Sequence, residues 1–203
     1  MNDQHWGPSI SADIVVIGGG TAGIGFVASL LKRDPTLNIT VIEPSAQHYY
    51  QPAWTLVGGG AYDVKDTVRP MSQVMPRQAT WIQAAVTGID PDQRRLTLND
   101  QRTVTYQNLI VCPGLRLAWE KIEGLQESLG QHGVTSNYSY QHAQYTWDQV
   151  QKLRGGKALF TQPAMPIKCA GAPQKALYLS CDHWRKTGVL NKVEVELNLS
   201  GAA

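Results

Sequence analysis

The chain is poor in charge: 17% of its 203 residues are Asp, Glu, Lys or Arg, and the formal net charge is only +2. It has no Lys/Arg block, so the electrostatic footprint of a nucleic-acid partner is missing. Cysteine is scarce too. Cys112, Cys169 and Cys181 form no C-x-x-C pair and no zinc spacing, which excludes a disulfide framework and a structural zinc site. The histidines His5, His48, His132, His142 and His183 are scattered and show no metal-ligand pattern. Internal repeats and low-complexity tracts are absent, and the first residues lack the basic region and cleavage site of a secretory signal. The reading is therefore a chain in a reducing compartment, with Asn38, Asn137 and Asn198 in chance N-x-S/T triplets. What remains is ordinary globular composition, enough for one large domain or two small ones.

One long uncharged run does occur, from Ile14 to Leu31, but Gly18, Gly19, Gly20, Gly23 and Gly25 interrupt it too often for a membrane span. It reads instead as a buried strand, Ile14 to Ile17, breaking into Gly18-x-Gly20-x-x-Gly23 and then a helix through Phe26, Val27, Leu30 and Leu31, stopped by Pro35. Glycine permits the turn and lets a diphosphate approach the backbone, while the helix N-terminus offers free N–H groups and a positive dipole end. The alternative is a glycine-rich turn in some other α/β protein. The second predicted strand, Asn38 to Glu43, ends in an acid 23 positions beyond Gly20. A dinucleotide-binding βαβ unit places a ribose-binding carboxylate there, which favours FAD or NAD over NADP, because a 2′-phosphate would be repelled. The bland alternative for Glu43 is a solvated strand-end acid.

His48-Tyr-Tyr-Gln-Pro-Ala-Trp-Thr-Leu-Val-Gly-Gly-Gly60 is an aromatic and glycine-rich loop that either covers a ligand or is a buried structural loop. A helical piece is expected around Asp66 to Met75, interrupted by Pro70. Strands follow over Thr80 to Ile89, Arg95 to Leu98 and Thr103 to Cys112, with turns at Asp90-Pro-Asp-Gln93 and Asn99-Asp100. Such a meander returning to a parallel sheet suggests, by fold analogy, a flavoprotein. Gly114 then either approaches a cofactor or is a plain turn glycine, and Cys112 reads as core.

A helix over Gln141 to Leu153 and a strand over Lys157 to Gln162 lead to a second strand-to-helix turn, Pro163 to Lys175. Its helix repeats Ala176/Leu177, Ser180/Cys181 and Trp184 at helical spacing, and a strand follows over Lys192 to Leu199. This turn has one glycine, Gly171, and prolines where a dinucleotide loop needs N–H donors. It carries Cys169, beside Lys168 and just before a helix N-terminus, two features that favour thiolate. Cys169 is either a nucleophile or a buried inert cysteine. Cys181 lies nine residues into the helix, roughly 13 Å from its start and too far for a disulfide to Cys169.

On these residues the chain resembles the amino-terminal part of the sulfide:quinone oxidoreductases, in the branch that includes the mitochondrial enzymes, from about Ala12 to Leu199. The specific pieces are His48-Tyr-Tyr-Gln-Pro-x-Trp-Thr-Leu-Val57, Ser136-Asn-Tyr138 and Lys168-Cys-Ala-Gly-Ala-Pro-Gln-Lys175. Residues 1–11 are polar and read as a flexible arm. The resemblance implies an α/β flavoprotein with a Rossmann-like FAD-binding domain and β-meander (12–140) and an incomplete second Rossmann-like domain (141–203). It implies FAD held by Gly18, Gly20, Thr21, Ala22, Gly23 and Glu43, with further contacts from Gln51 and from the backbone of Val86 facing the adenine. Cys169 corresponds to one of the family's two redox cysteines. In the family mechanism sulfide opens a cysteine disulfide or trisulfide to leave a persulfide, and two electrons pass through FAD to a membrane quinone.

Two departures stand out. Pro113 replaces a small residue of the family and removes an N–H beside Gly114. The family is also much longer, so its second redox cysteine, the rest of its FAD site and its membrane-binding helices fall beyond residue 203. The expectation is thus a truncated chain or one half of a split protein. Its partners would be sulfide, a quinone and a second polypeptide, and the parent would sit in the cytoplasm, peripheral to the inner membrane through the missing carboxy-terminal part. The competing expectations are an NADH:quinone or disulfide reductase of the same superfamily, and a non-catalytic FAD-binding or partner-binding remnant.

Overall fold

The computed structural model describes residues 9–164 and 166–201. In chain order the elements are β1 (Ser9–Ile17), α1 (Thr21–Arg33), β2 (Ile39–Ile42), β3 (Gln47–Tyr49), α2 (Trp54–Gly58), β4 (Val68–Pro70), α3 (Met71–Val74), β5 (Thr80–Ile82), β6 (Val86–Asp90), β7 (Arg95–Leu98) and β8 (Thr103–Val111). After them come α4 (Leu125–Ser128), α5 (Tyr140–Lys152), β9 (Gly156–Gln162), α6 (Ala172–Lys186) and β10 (Val193–Leu199). They divide into two compact units. One holds residues up to Tyr49 together with Val68–Arg116, and the other Tyr50–Thr67 together with the chain from Leu117 onward.

The first unit is built on a mixed six-stranded sheet in the order β5-β2-β1-β8-β7-β6. β5, β2, β1 and β8 run parallel, and β8, β7 and β6 form the antiparallel meander. Reversals after β6 and β7 bring β8 back in register with β1 along its whole length, from Ser9 beside Thr103 to Ile17 beside Val111. Asp90 tightens the first reversal by accepting the Gln93 N–H at 3.0 Å. Both faces of the sheet are covered, as parallel strands require. Val16, Ile39 and Val41 pack with Val27 and Leu31 of α1, while Val15, Ile42, Ile82, Leu96, Leu98 and Val104 form the core on the opposite side. Gly23, Val27 and Leu31 recur every fourth residue and make the buried stripe of α1. Burying each of its two large aliphatic side chains stabilises the unit by about 1.5–3 kcal/mol. Lys32 and Arg33 close the helix over the carbonyl end of its dipole, and Asp34 caps it through an N–H to Leu30.

The second unit contains one parallel pair, β9 beside β10 from Gly156/Val193 to Gln162/Leu199, joined by α6. Phe160 of β9 meets Trp184 of α6 with ring centroids 6.5 Å apart. The Trp184 indole, 2% exposed, donates to the Val150 carbonyl of α5 at 2.9 Å. Among the described residues, β9 and β10 pair only with each other.

Several expectations need correction. The stretch 1–11 was expected to be an arm, but β1 begins at Ser9 because Ser9–Ser11 pair with Thr103–Thr105; residues 1–8 lie outside the described residues. The boundary expected at 140 falls at Leu117, and Tyr50–Thr67 also join the second unit. The helix expected over Asp66 to Met75 is instead a 3₁₀ turn (Val64–Thr67), β4 and the single turn α3. Pro70 closes β4 opposite Gln47, at a strand end where its missing N–H is tolerated. Cys112, expected in the core, is half-buried just past the end of β8.

Candidate functional site

The first strand-to-helix turn divides its three motif glycines by job. Gly18 has φ +100°, and a Cβ there would lie 2.0 Å from the Cys112 carbonyl oxygen, so only glycine lets β1 turn against β8. A Cβ at Gly23 would lie 1.9 Å from the Gly18 oxygen, so this glycine sets the approach of α1 to the turn. Gly20 is different. It has ordinary extended backbone, and a Cβ would meet nothing within 4 Å. That combination, one glycine turning, one packing and one facing open space, is the division of labour of a diphosphate-binding loop. Gly20 caps α1 with no side-chain hydrogen bond, and the first turn, beginning with exposed Thr21 and Ala22, holds no acid. The first N–H groups of the helix and its positive dipole end are therefore left for an external anion.

Glu43 stands at the end of β2, half-buried. Its Oε2 accepts the Gly19 N–H at 2.8 Å and its Oε1 accepts the Ser45 N–H at 2.7 Å. Each carboxylate oxygen retains a second lone pair, so a ribose hydroxyl can still donate to it. Gly19 is a residue that the spacing rules passed over: a Cβ there would sit 2.8 Å from Glu43 Cγ and 3.3 Å from Met71 Cε. Val86 opens β6 with its side chain partly packed on the core, and the register slips between it and Gly88. Gly114 has φ +77° with open space around it, just beyond the Cys112–Ile17 backbone bond that ends the β1–β8 ladder. Gly18, Gly20, Thr21, Ala22, Gly23, Glu43, Val86 and Gly114 thus all belong to the first unit, whereas Gln51 and Cys169 belong to the second.

In the second unit the aromatic loop has a structural half. Trp54, Thr55, Val57 and Gly58 are buried, and the Trp54 indole donates to Thr67 Oγ1 at 3.1 Å. Cβ atoms at Gly58, Gly59 and Gly60 would meet Asn137, Leu179 and Trp147 at 2.2–2.6 Å, which explains the glycine triplet as close packing. Gln51 is half-buried, and its Oε1 accepts from the Lys168 ammonium.

Lys168 and Cys169 form the second turn. Cys169 is exposed, and its backbone is left-handed at φ +58°, a conformation that costs a side-chain-bearing residue about 1–2 kcal/mol. Its carbonyl accepts the Ala172 N–H at 2.8 Å, leading the chain into α6. Tyr138 donates its phenol proton to the Lys168 carbonyl, with the Cys169 carbonyl 3.3 Å away as a second acceptor. Burial pushes the Tyr138 phenol above its usual range, and negative charge on Cys169 pushes in the same direction, so the phenol remains a donor at neutral pH. Sequence reasoning noted Tyr138 only within a motif; nothing local announces a contact across 30 residues. Cys181 is half-buried within α6, and burial raises its thiol as well.

The family model of the pyridine nucleotide-disulphide oxidoreductases matches residues 12–157, a span that includes the glycine turn, Glu43 and the whole meander. The chain belongs to that family. Members of the pyridine nucleotide-disulphide oxidoreductase family use FAD. The chain is 41% identical over 192 residues to the mitochondrial sulfide:quinone oxidoreductase of Dictyostelium discoideum, covering 94% of this chain and 42% of that protein. To the mitochondrial enzyme of Mus musculus it is 40% identical over 186 residues, covering 92% and 41%. The X-ray structure of the sulfide:quinone oxidoreductase from the hyperthermophilic bacterium Aquifex aeolicus superposes with a TM-score of 0.71 at 26% identity, over 93% of this chain and 43% of that one. The chain therefore spans about 42% of the length of the relatives it matches. No described helix is long and apolar enough to cross a membrane.

Proposed function

We propose that this chain is the flavin-holding and first-cysteine portion of an oxidoreductase that takes electrons from sulfide and delivers them to a quinone. The observation that carries the reading is the second turn. An exposed cysteine stands in left-handed backbone at a strand-to-helix junction, with a neutral phenol bound to the carbonyls beside it. The names of the similar proteins supply the substrates, sulfide and quinone.

The first turn fits FAD: a glycine open to the outside, a helix start free of acids, and a carboxylate at the end of β2. Gly18, Gly20, Thr21, Ala22 and Gly23 would hold the diphosphate, Glu43 the ribose and the Val86 backbone the adenine, with Gln51 and Gly114 as further contacts. Bound there, FAD would supply a two-electron acceptor. Cys169 would carry the sulfur of sulfide as a persulfide, the S–S bond forming as the thiol and hydrosulfide give up their protons and two electrons that the flavin would accept, in a position open both to a small anion and to a sulfur acceptor. Tyr138 would keep the turn in place, and its phenol, still protonated at neutral pH, adds no negative charge beside an incoming anion. A nicotinamide site at the second turn has less support. Pro163, Pro166 and Pro173 remove N–H donors from it, and Gly171 is its one glycine.

A second reading is favoured by the parallel pair β9–β10, which among the described residues pairs with no other strand. In that reading the chain holds flavin or a partner polypeptide without turnover, and the outer edges of β9 and β10, unpaired among the described residues, would receive that partner. The test follows reduction of a short-chain ubiquinone when sulfide is added to the native protein that carries this sequence. Cys169→Ser should abolish the reaction and leave the flavin absorbance intact; unchanged turnover would remove Cys169 from the chemistry. Turnover with NADH in place of sulfide would favour a nicotinamide-linked reductase. Sulfide oxidation by the 203-residue chain with no added polypeptide would eliminate the second reading.

A further inference from the structure

Gly19 is held at both ends. Its N–H donates to Glu43 Oε2 at 2.8 Å, and its carbonyl lies 3.2 Å from Nδ1 of His48. A carbonyl can only accept, so Nδ1 must carry the proton. His48 is itself fixed, half-buried in β3 and paired with Arg69 of β4. The peptide joining Gly19 to Gly20 is planar and trans, so its C=O and N–H point in opposite directions. A hydrogen bond that fixes the Gly19 carbonyl toward His48 therefore fixes the Gly20 N–H away from it, and polarises that N–H as a donor. Gly20 is the motif glycine that faces open space.

We propose that His48 is a positioning residue for the cofactor's diphosphate: through the Gly19 carbonyl it orients the Gly20 N–H. This rests on reading the first turn as the flavin site. Glu43 and His48 then act as a pair, one on each side of Gly19, and the glycine turn is set before any ligand arrives. Preorganisation of this kind raises affinity by removing the cost of ordering the loop on binding.

Two measurements on the native protein that carries this sequence test it. The first is the ring tautomer of His48 in the unliganded protein by long-range ¹⁵N–¹H NMR, at a pH where the ring is neutral. The Nδ1–H form is expected; the Nε2–H form would place a lone pair against the Gly19 carbonyl and overturn the proposal. The second is FAD affinity by flavin fluorescence for the unaltered protein, His48→Ala and His48→Asn. Loss of one hydrogen bond should weaken binding about fivefold in His48→Ala. Asn carries an N–H at nearly the same reach as Nδ1 and should restore affinity to within about twofold. Equal affinity in His48→Ala, or no rescue by Asn, overturns the inference while leaving the flavin reading intact. If the unaltered native protein takes up no flavin, the flavin reading itself falls and the inference with it.

Discussion

The two strand-to-helix turns follow one plan and solve opposite problems. At the first, between β1 and α1, side chains are removed: Gly18 and Gly23 let the backbone turn and pack closely, and Gly20 leaves open space before the helix. At the second, between β9 and α6, a side chain is installed: Cys169 stands in a backbone conformation that glycine would adopt freely, and Tyr138 braces the carbonyls of Lys168 and Cys169 on either side of the Cys169 Cα. A turn stripped to backbone suits an anion, and a turn that holds up one sulfur suits covalent sulfur chemistry. The same fold position can thus serve a cofactor or a nucleophile, depending on whether residues there are taken away or forced in.

The largest break in this contrast should come from Gly18→Ala. A Cβ there would lie 2.0 Å from backbone oxygen at positive φ, so the loss should be about 3 kcal/mol or more in urea unfolding. At the second turn the sign reverses. Cys169→Gly should relieve left-handed strain and stabilise by about 1 kcal/mol, whereas Tyr138→Phe should cost about 1 kcal/mol through the lost hydroxyl bond. If Cys169→Gly destabilised instead, the turn would not be strained. The smallest effect concerns the thiols. Burial disfavours the Cys181 thiolate, so at neutral pH iodoacetamide should label exposed Cys169 well before Cys181. Cys181 should catch up only as the pH rises past the ordinary thiol range, as peptide mass spectrometry at several pH values would show.

The first turn was legible in the sequence because its rules are local: where φ must be positive, where a helix begins, where a strand ends in an acid. The meander was legible for the same reason, through Asp90-Pro-Asp-Gln93 and Asn99-Asp100 between alternating strands. What stayed hidden lies in contacts between distant residues. His48 reaches Gly19 across 29 positions and Tyr138 reaches Lys168 across 30, and neither leaves a periodic trace. The aromatic loop stayed open between its two readings for a related reason. Composition cannot separate Trp54 and Val57, which are buried, from Tyr49 and Tyr50, which are 39% and 48% exposed. Pro70, read as a helix interruption, ends a short antiparallel strand whose partner lies 23 residues earlier.

The central claim is that the first turn is a flavin cradle in which Gly18 and Gly23 serve the fold while Gly20 serves the ligand. Flavin titration of the native protein that carries this sequence, beside its Gly20→Val variant, tests it most directly. A Cβ at Gly20 meets nothing, so the variant should unfold within about 1 kcal/mol of the unaltered protein, the residual cost being the poorer N-cap that Val makes. FAD should bind one-to-one to the unaltered protein and lose at least about tenfold in affinity in the variant, where a branched side chain stands between the backbone and the diphosphate. Equal flavin affinity in both, with both folded, would contradict the account.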